Sequence, residues 1–187
     1  MRVISGIARG TILHSIEDKN TRPTLDRVKE SIFNIIQNKI RDSICLDLFS
    51  GSGAIGIEFI SRGALKVYFS DYNKKAFEMI NKNIEKTKFK EKAEVFNLDY
   101  KKVLTKFKND KFDIIYLDPP YNSSLGIEAI KIINEYNLLK DDGIIIFETE
   151  ENNNKNEILK LQNLENFYFK IYDERKYGRA EILFLSK

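Results

Sequence analysis

The chain has 187 residues, of which 42% are hydrophobic and 32% charged, with a formal net charge of +3. This length and composition predict one globular domain with a substantial core and exclude a disordered chain. No apolar run approaches the roughly 18 residues of a membrane span, the N-terminus lacks a signal-peptide core, and one cysteine, Cys45, excludes an internal disulfide, so we expect a cytoplasmic protein.

The first predicted elements form an N-terminal extension over residues 1–40. RVIS and TILHSI flank GIARG, which predicts a short hairpin with glycine-assisted turns. After Pro23, apolar residues recur at helical spacing and predict an amphipathic helix over residues 24–38. These apolar residues are Leu25, Val28, Ile32, Ile35 and Ile36.

Residues 41–187 alternate between short apolar runs and helical segments. The predicted strands span 44–49, 66–71, 93–97, 112–117, 143–148, 167–172 and 182–185, and the helices between them span 54–62, 73–86, 100–107 and 126–136. Apolar strands with helical crossovers predict a parallel sheet covered on both faces. The last link is too short for a parallel crossover, so its strands must pair antiparallel. We predict a doubly wound α/β fold, a seven-stranded mostly parallel sheet with an antiparallel C-terminal hairpin, and a surface loop over 150–156.

Arginine is the informative basic residue, because lysine is abundant throughout the chain. Six of the eight arginines lie near the two ends: Arg2, Arg9, Arg22, Arg27, Arg175 and Arg179. The planar guanidinium fork suits phosphates and base edges, so this placement favours a surface for a polyanion. Ordinary ion pairing would explain the same counts.

A glycine-rich loop separates the first predicted strand from its helix. The segment CLDLFSGSGAIGIEF carries Gly51, Gly53 and Gly56 in the G-x-G-x-x-G spacing, which permits close approach of a ligand to a helix N-terminus. Asp71 follows Gly51 by 20 residues, at a strand end where a carboxylate can hold ribose hydroxyls. The pattern predicts a nucleoside-containing cofactor. A plain glycine turn and a nicotinamide-dependent oxidoreductase remain alternatives.

The acidic residues around this loop favour a cationic ligand over a pyrophosphate. Asp47 precedes the loop and Glu58 follows it. LDLFSGSGAIG resembles motif I of the S-adenosylmethionine-dependent methyltransferases. That resemblance implies Asp47 and the loop around the methionine part, Asp71 at the ribose and Asp99 at the adenine amino group. The full set of implied cofactor contacts is Asp47, Phe49, Gly51, Ser52, Gly53, Asp71, Asp99 and Asp118.

The segment FDIIYLDPPYNSS delivers Asp118, Pro119, Pro120 and Tyr121 to a strand end, where ligands sit in open α/β sheets. DPPY resembles motif IV of the amino-methyltransferases, which implies catalytic roles for these four residues. Hydrogen bonds from a base amino group to the Asp118 carboxylate and the Pro119 carbonyl would aim the nitrogen lone pair at a methyl group. Proline fixes φ and offers no competing donor, and Tyr121 offers a face on which an unstacked base can lie.

The flanking segments decide the family. RVISGIARGTIL, TRPTLDRVKESIFNII, CLDLFSGSGAIGIEFISRGA, DPPY and KYG resemble, in this order, the RsmD family of bacterial enzymes that methylate guanine N2 in 16S rRNA. The resemblance implies an RNA- and base-facing wall and a closure of the site from the C-terminal hairpin. The wall would comprise Arg22, Pro23, Thr24, Asp26 and Arg27, and the closure Lys176, Tyr177 and Gly178. The family usually has Glu where this chain has Asp71.

The resemblance implies a 16S rRNA substrate within an assembling or complete 30S subunit, and we expect a monomer without a membrane partner. Adenine-N6 methylation of DNA or RNA, and a non-enzymatic role in ribosome assembly, are the alternatives. His14 is the only histidine, and no ligand cluster predicts a metal site.

Overall fold

The computed structural model describes residues 1–15, 24–120, 123–149 and 152–187. Its strands are β1 Ile44–Leu48, β2 Lys66–Ser70, β3 Ala93–Phe96, β4 Phe112–Leu117, β5 Leu139–Thr149, β6 Lys170–Tyr177 and β7 Ala180–Ser186. Its helices are α1 Thr24–Ile35, α2 Gln37–Ile40, α3 Ala54–Ser61, α4 Lys74–Thr87, α5 Tyr100–Lys106, α6 Leu125–Glu135 and α7 Asn152–Leu161, with a 3₁₀ turn over Lys90–Lys92.

The strands form one seven-stranded sheet in the order β3-β2-β1-β4-β5-β7-β6. Strands β1 to β5 run parallel, while β7 is antiparallel to both β5 and β6. The predicted fold class is therefore confirmed. The strand order reverses between β1 and β4, and ligands bind at such a switch point, outside the carboxyl ends of the strands.

The register of β1 sets the geometry of this cleft. Leu48, the last residue of β1, pairs with Ser70 of β2 and with Leu117 of β4. Because the three strands end level with one another, the residues that follow them emerge at one edge of the sheet. Asp71 and Asp118 are two of those residues.

The core lies on both faces of the sheet. On one face, α1, α3 and α4 bury Ile32, Ile57 and Ile80. On the other, α5, α6 and α7 bury Val103, Ile130 and Ile158. Parallel strands covered on both faces need apolar residues in both directions, which explains their continuous apolar runs.

The N-terminal extension packs onto this domain. Arg2 and Ile12 form an antiparallel bridge, as the predicted short hairpin requires. Val3 and Leu13 are buried in the same core as α1. The helix predicted over residues 24–38 ends at Ile35 and is followed by the short helix α2.

The predicted surface loop over residues 150–156 is wrong from residue 152 onward, where helix α7 begins. Residues 150 and 151 lie outside the described ranges. Ile158 is fully buried and Leu161 packs against the same core. Burial of this second half stabilises a helix whose first residues, rich in asparagine, have weak intrinsic propensity.

The C-terminal hairpin is longer than the sequence predicts. Strand β6 runs from Lys170 to Tyr177, so most of the predicted link is in the ladder and only Gly178 and Arg179 form the turn. Gly178 has φ +63°, a conformation that favours glycine. Among the described helices, none has both the length and the apolar character that crossing a bilayer requires.

Candidate active site

The glycine loop connects β1 to α3 through a tight turn. Gly51 and Gly53 have φ of +55° and +77°, which explains glycine at both positions. The Gly53 amide donates to the Ser50 carbonyl at 2.7 Å and closes the turn. Gly56 serves packing instead, because a Cβ there would lie 2.1 Å from Cε1 of Phe69.

Two carboxylates accept hydrogen bonds from backbone amides of the loop and of the helix that follows it. Asp71 Oδ2 accepts a hydrogen bond from the Gly51 amide at 2.9 Å, so the loop and the end of β2 are joined directly. Asp47 Oδ2 accepts from the Gly56 amide at 2.9 Å, at the start of α3. Asp47 is buried behind the loop and is not among the residues that line either cavity described below. Its predicted contact with the cofactor stays a prediction.

A cavity of about 490 Å³ opens at the carboxyl ends of β1 to β4. Asp71, Asp99 and Asp118, which follow β2, β3 and β4, all lie in its wall, as do Phe49 and Gly51. The other lining residues are Ser70, Tyr72, Asn73, Leu98, Tyr100, Pro119, Pro120 and Leu125. The cavity thus combines apolar walls with a few convergent polar groups, as small-molecule and cofactor sites do.

A second cavity of about 240 Å³ lies between α1 and the glycine loop. Its polar lining includes Ser50, Ser52 and Lys29, together with Asp118 and Glu148. Its remaining lining residues are Met1, Val28, Ile32, Phe49, Gly51, Ala54, Ile55 and Tyr116. Phe49, Gly51 and Asp118 line both cavities, so Asp118 stands where the two cavities meet.

Acidic side chains crowd around the junction of the two cavities. The Tyr116 hydroxyl donates to Glu148 Oε2 at 2.5 Å and fixes that carboxylate beside Asp118. Loss of hydration, followed by the charges of Glu148 and Asp47, raises the pKa of Asp118 well above its ordinary value. Burial raises the pKa of Asp47 to about 7. Crowded carboxylates of this kind favour a cationic ligand and disfavour a pyrophosphate.

Asp99 and Tyr100 form the far wall of the larger cavity. Asp99 caps α5, since its Oδ1 accepts from the Lys101 amide at 2.9 Å. The Tyr100 ring lies 5.5 Å from the ring of Phe49, centroid to centroid, and its hydroxyl donates to Glu128 at 2.7 Å. The sequence does not reveal the role of Glu128 at this wall, because Tyr100 lies on a different helix, 28 residues away in the chain.

Pro119 and Pro120 continue directly from Asp118. Pro119 is buried and Pro120 is exposed, and both line the larger cavity. The Ser123 hydroxyl donates to the Pro120 carbonyl at 2.6 Å, which joins Pro120 to the start of α6. Tyr121 lies outside the described residues.

The predicted substrate-facing residues on α1 are described only in part. Arg22 and Pro23 lie outside the described ranges, as does the Thr24 side chain. Asp26 faces Arg2 at 3.7 Å, and Arg27 is exposed. Their roles toward RNA stay predictions.

The three predicted residues of the C-terminal hairpin, Lys176, Tyr177 and Gly178, have different surroundings. The Tyr177 hydroxyl is hydrogen-bonded to Ser31 of α1, so this residue reaches the helix that borders the smaller cavity. Lys176 pairs instead with Glu174 and Glu181, at 3.5 and 3.3 Å. Gly178 is in the exposed turn.

Glu58 corrects one interpretation of the sequence. It lines neither cavity, and its carboxylate accepts from the amides of Ile4 and Ser5 at 2.8 and 2.9 Å and from Arg62 Nε at 2.8 Å. Lys29 lies 3.2 Å away. The prediction that Glu58 places charge beside the cofactor is therefore wrong; it fastens the N-terminal extension to α3. In the ranges that the structure describes, no cluster of three or more His, Cys, Asp or Glu residues could hold a metal ion.

The sheet order, the glycine loop and the carboxylates at the ends of β2 to β4 define a Rossmann-like fold of the class I methyltransferase type, with a cleft at the carboxyl ends of its strands. Residues 1–186 match the model of the family described as conserved hypothetical protein 95, and the chain belongs to this family, the RsmD family. The chain is 40% identical over 153 residues to ribosomal RNA small subunit methyltransferase D of Haemophilus influenzae, covering 81% of this chain and 79% of that protein. The Escherichia coli protein of the same name is 33% identical over 153 residues, covering 82% and 76%.

Solved structures agree with this membership. A protein of E. coli provisionally described as a methyltransferase, yhhF, superposes with a TM-score of 0.82 at 28% identity over 99% of this chain and 96% of that one. A provisionally described methylase of H. influenzae, HI0767, gives a TM-score of 0.78 at 33% identity over 98% and 96%.

Proposed function

We propose that this protein transfers a methyl group from S-adenosylmethionine to the N2 amino group of a guanine in 16S rRNA. One observation carries the proposal: Asp118 lies at the junction of the two cavities, with Pro119 beside it. Relatives that are 33–40% identical to this chain over 153 residues are named small-subunit rRNA methyltransferases, which supports rRNA as the substrate class.

The two cavities divide the cofactor between them. The larger one suits the adenosine part, with Asp71 at the ribose and Asp99 at the adenine amino group. The smaller one suits the charged amino-acid end. Glu148 favours its ammonium group there, and Lys29 and the loop favour its carboxylate. A sulfonium between the cavities would lie beside Asp118, where negative charge stabilises it.

Bound S-adenosylmethionine supplies an electrophilic methyl group. The protein must then orient a weakly nucleophilic amino group, whose lone pair is conjugated into the base. The Asp118 carboxylate and the Pro119 carbonyl each accept one N–H of that group, which directs the lone pair toward the methyl carbon. Such positioning contributes roughly 7–11 kcal/mol in well-oriented reactions. The raised pKa of Asp118 also suits it to hold the proton that the nitrogen loses.

The RNA would approach over α1 and the N-terminal extension of residues 1–40. Arg22, Pro23, Thr24, Asp26 and Arg27 would form the wall on that side. Lys176, Tyr177 and Gly178 would close the site from the hairpin, and the bond from Tyr177 to Ser31 supports this for Tyr177. Tyr121 would stack on the flipped base. The protein would act as a monomer on a 30S particle or its precursor.

Mass spectrometry of nucleosides from 16S rRNA tests the proposal in a strain that lacks this gene. We expect loss of one N2-methylguanosine, restored by the wild-type gene and not by Asp118→Ala. A change in N6-methyladenosine alone would assign the enzyme to adenine instead. An unaltered set of rRNA modifications would remove rRNA as the substrate, and restoration of the N2-methylguanosine by Asp118→Ala would refute a catalytic role for this carboxylate.

A further inference from the structure

Helices α5 and α6 begin on the wall of the larger cavity and are joined there by one side chain. Tyr100 begins α5 and Leu125 begins α6, and both line the cavity. Glu128, in the first turn of α6, reaches both helix starts. Its Oε2 accepts from the Tyr100 hydroxyl at 2.7 Å, and its Oε1 accepts from the Ser124 hydroxyl at 2.6 Å.

The link is built from charge-assisted hydrogen bonds. The bonds from Ser124, Tyr100 and Lys101 lower the pKa of Glu128 to about 2, so the carboxylate is ionised at neutral pH. Lys101 Nζ lies 3.1 Å from Oε2. Hydrogen bonds to an ionised acceptor are roughly twice as strong as neutral ones. Tyr100 is itself buried, with 6% of its surface exposed.

The Ser124 side of the link leads directly to the prolines. The Ser124 side chain makes no capping hydrogen bond to the backbone of α6; its hydroxyl donates to the Glu128 carboxylate instead. The preceding residue, Ser123, donates to the Pro120 carbonyl at 2.6 Å. Two consecutive serines thus connect Pro120 on one side and Glu128 on the other.

We infer that Glu128 is a positioning residue that fixes the Pro119–Pro120 segment relative to the Tyr100 wall of the cofactor cavity. Neither Glu128 nor Ser124 lines either of the two cavities described above, so both act on them through their neighbours. The Pro119–Pro120 segment, which would position the methyl acceptor, is then joined to the Tyr100 wall, which would hold the methyl donor. This inference rests on the cofactor occupying the larger cavity and not on the identity of the methylated base.

Isothermal titration calorimetry with S-adenosylhomocysteine tests the link without any methyl acceptor. Ser124→Ala should weaken binding by roughly 3- to 10-fold, although the residue lies outside the cavity, and Glu128→Ala by at least as much. Because both changes break one link, Ser124→Ala should have no further effect in the Glu128→Ala background. Single-turnover transfer to undermethylated 30S particles, at saturating donor, should also slow in both variants.

Matched variants separate positioning from general stability. Glu128→Gln keeps an oxygen for Tyr100 and gains a donor for Ser124 but loses the charge, so it should lose less affinity than Glu128→Ala. Lys101→Met removes a partner of Glu128 whose side chain is 59% exposed, so solvent screens this ion pair and the change should weaken binding less than Ser124→Ala does. If Glu128→Ala does not fold, the pair Tyr100→Phe and Ser124→Ala replaces it and should be non-additive. Unchanged affinity in Ser124→Ala, or additive effects in the double variant, would overturn the inference.

Discussion

Replacing Asp118 by alanine should slow methyl transfer far more than it weakens cofactor binding. The carboxylate lies at the junction of the two cavities, where it would accept an N–H of the target amino group. Loss of one hydrogen bond made in the transition state costs about 2.7–4 kcal/mol, or about 100- to 1000-fold in rate. We expect a loss of that size in the chemical step.

The same substitution should not destabilise the fold. Burial and the neighbouring Glu148 and Asp47 raise the pKa of Asp118, so its charged form is unfavourable in the folded protein. Alanine removes that cost, and the melting temperature should stay equal or rise. Asp118→Asn keeps one acceptor oxygen at the same reach and should lose less activity than Asp118→Ala.

Single-turnover kinetics with a tritiated methyl donor measures the effect, with enzyme in excess over 30S particles that lack the modification. Calorimetry with S-adenosylhomocysteine provides the control, since affinity should change little. A near-normal single-turnover rate in Asp118→Ala would refute the role assigned to this carboxylate. So would a slow rate that saturating donor restores in full.

Three further predictions follow from charge and packing. Glu148→Gln removes a negative charge beside Asp118 and should therefore lower the pKa of Asp118. The acid limb of the single-turnover pH profile should then move to lower pH, and a move to higher pH would contradict this prediction. Burial raises the pKa of Asp47 to about 7, whereas an aspartate in the unfolded chain has a pKa of about 3.9. Between these two pH values the folded chain retains a proton that the unfolded chain releases. The free energy of unfolding should therefore fall by roughly 4 kcal/mol as the pH rises from the lower value to the higher one. Urea unfolding across that range should lose this slope in Asp47→Asn, and an unchanged slope would exclude Asp47 as its source. Gly56→Ala places a Cβ 2.1 Å from Phe69 and should cost roughly 1–3 kcal/mol in urea unfolding, so an unchanged midpoint would contradict the packing.

The cleft was predictable from the sequence because local patterns determine it. Continuous apolar runs separated by helices predict parallel strands, and a parallel sheet places every carboxyl end at one edge. Asp71, Asp99 and Asp118 therefore lie around one cavity, as their positions at strand ends predicted. The spacing of Gly51 and Gly53 predicted the tight turn for the same local reason.

The contacts that tune the site were not predictable, since they join residues far apart in the chain. Tyr116 and Glu148 are 32 residues apart and meet across two neighbouring strands. The expected place of Glu58 beside the cofactor is wrong because helical position alone does not reveal which way a side chain points. Its carboxylate accepts hydrogen bonds from the Ile4 and Ser5 amides. Helix α7 was missed because its first half has no apolar spacing, and burial of its second half decides the structure.

The most direct test of the account is an experimental structure of the protein with bound S-adenosylmethionine. It should place the methyl carbon between the two cavities, with the Asp118 carboxylate and the Pro119 carbonyl turned toward a planar space beside it. A base amino group in that space would lie about 3–3.5 Å from the methyl carbon. A donor whose methyl group points away from Asp118, with no room there for a base, would contradict the account.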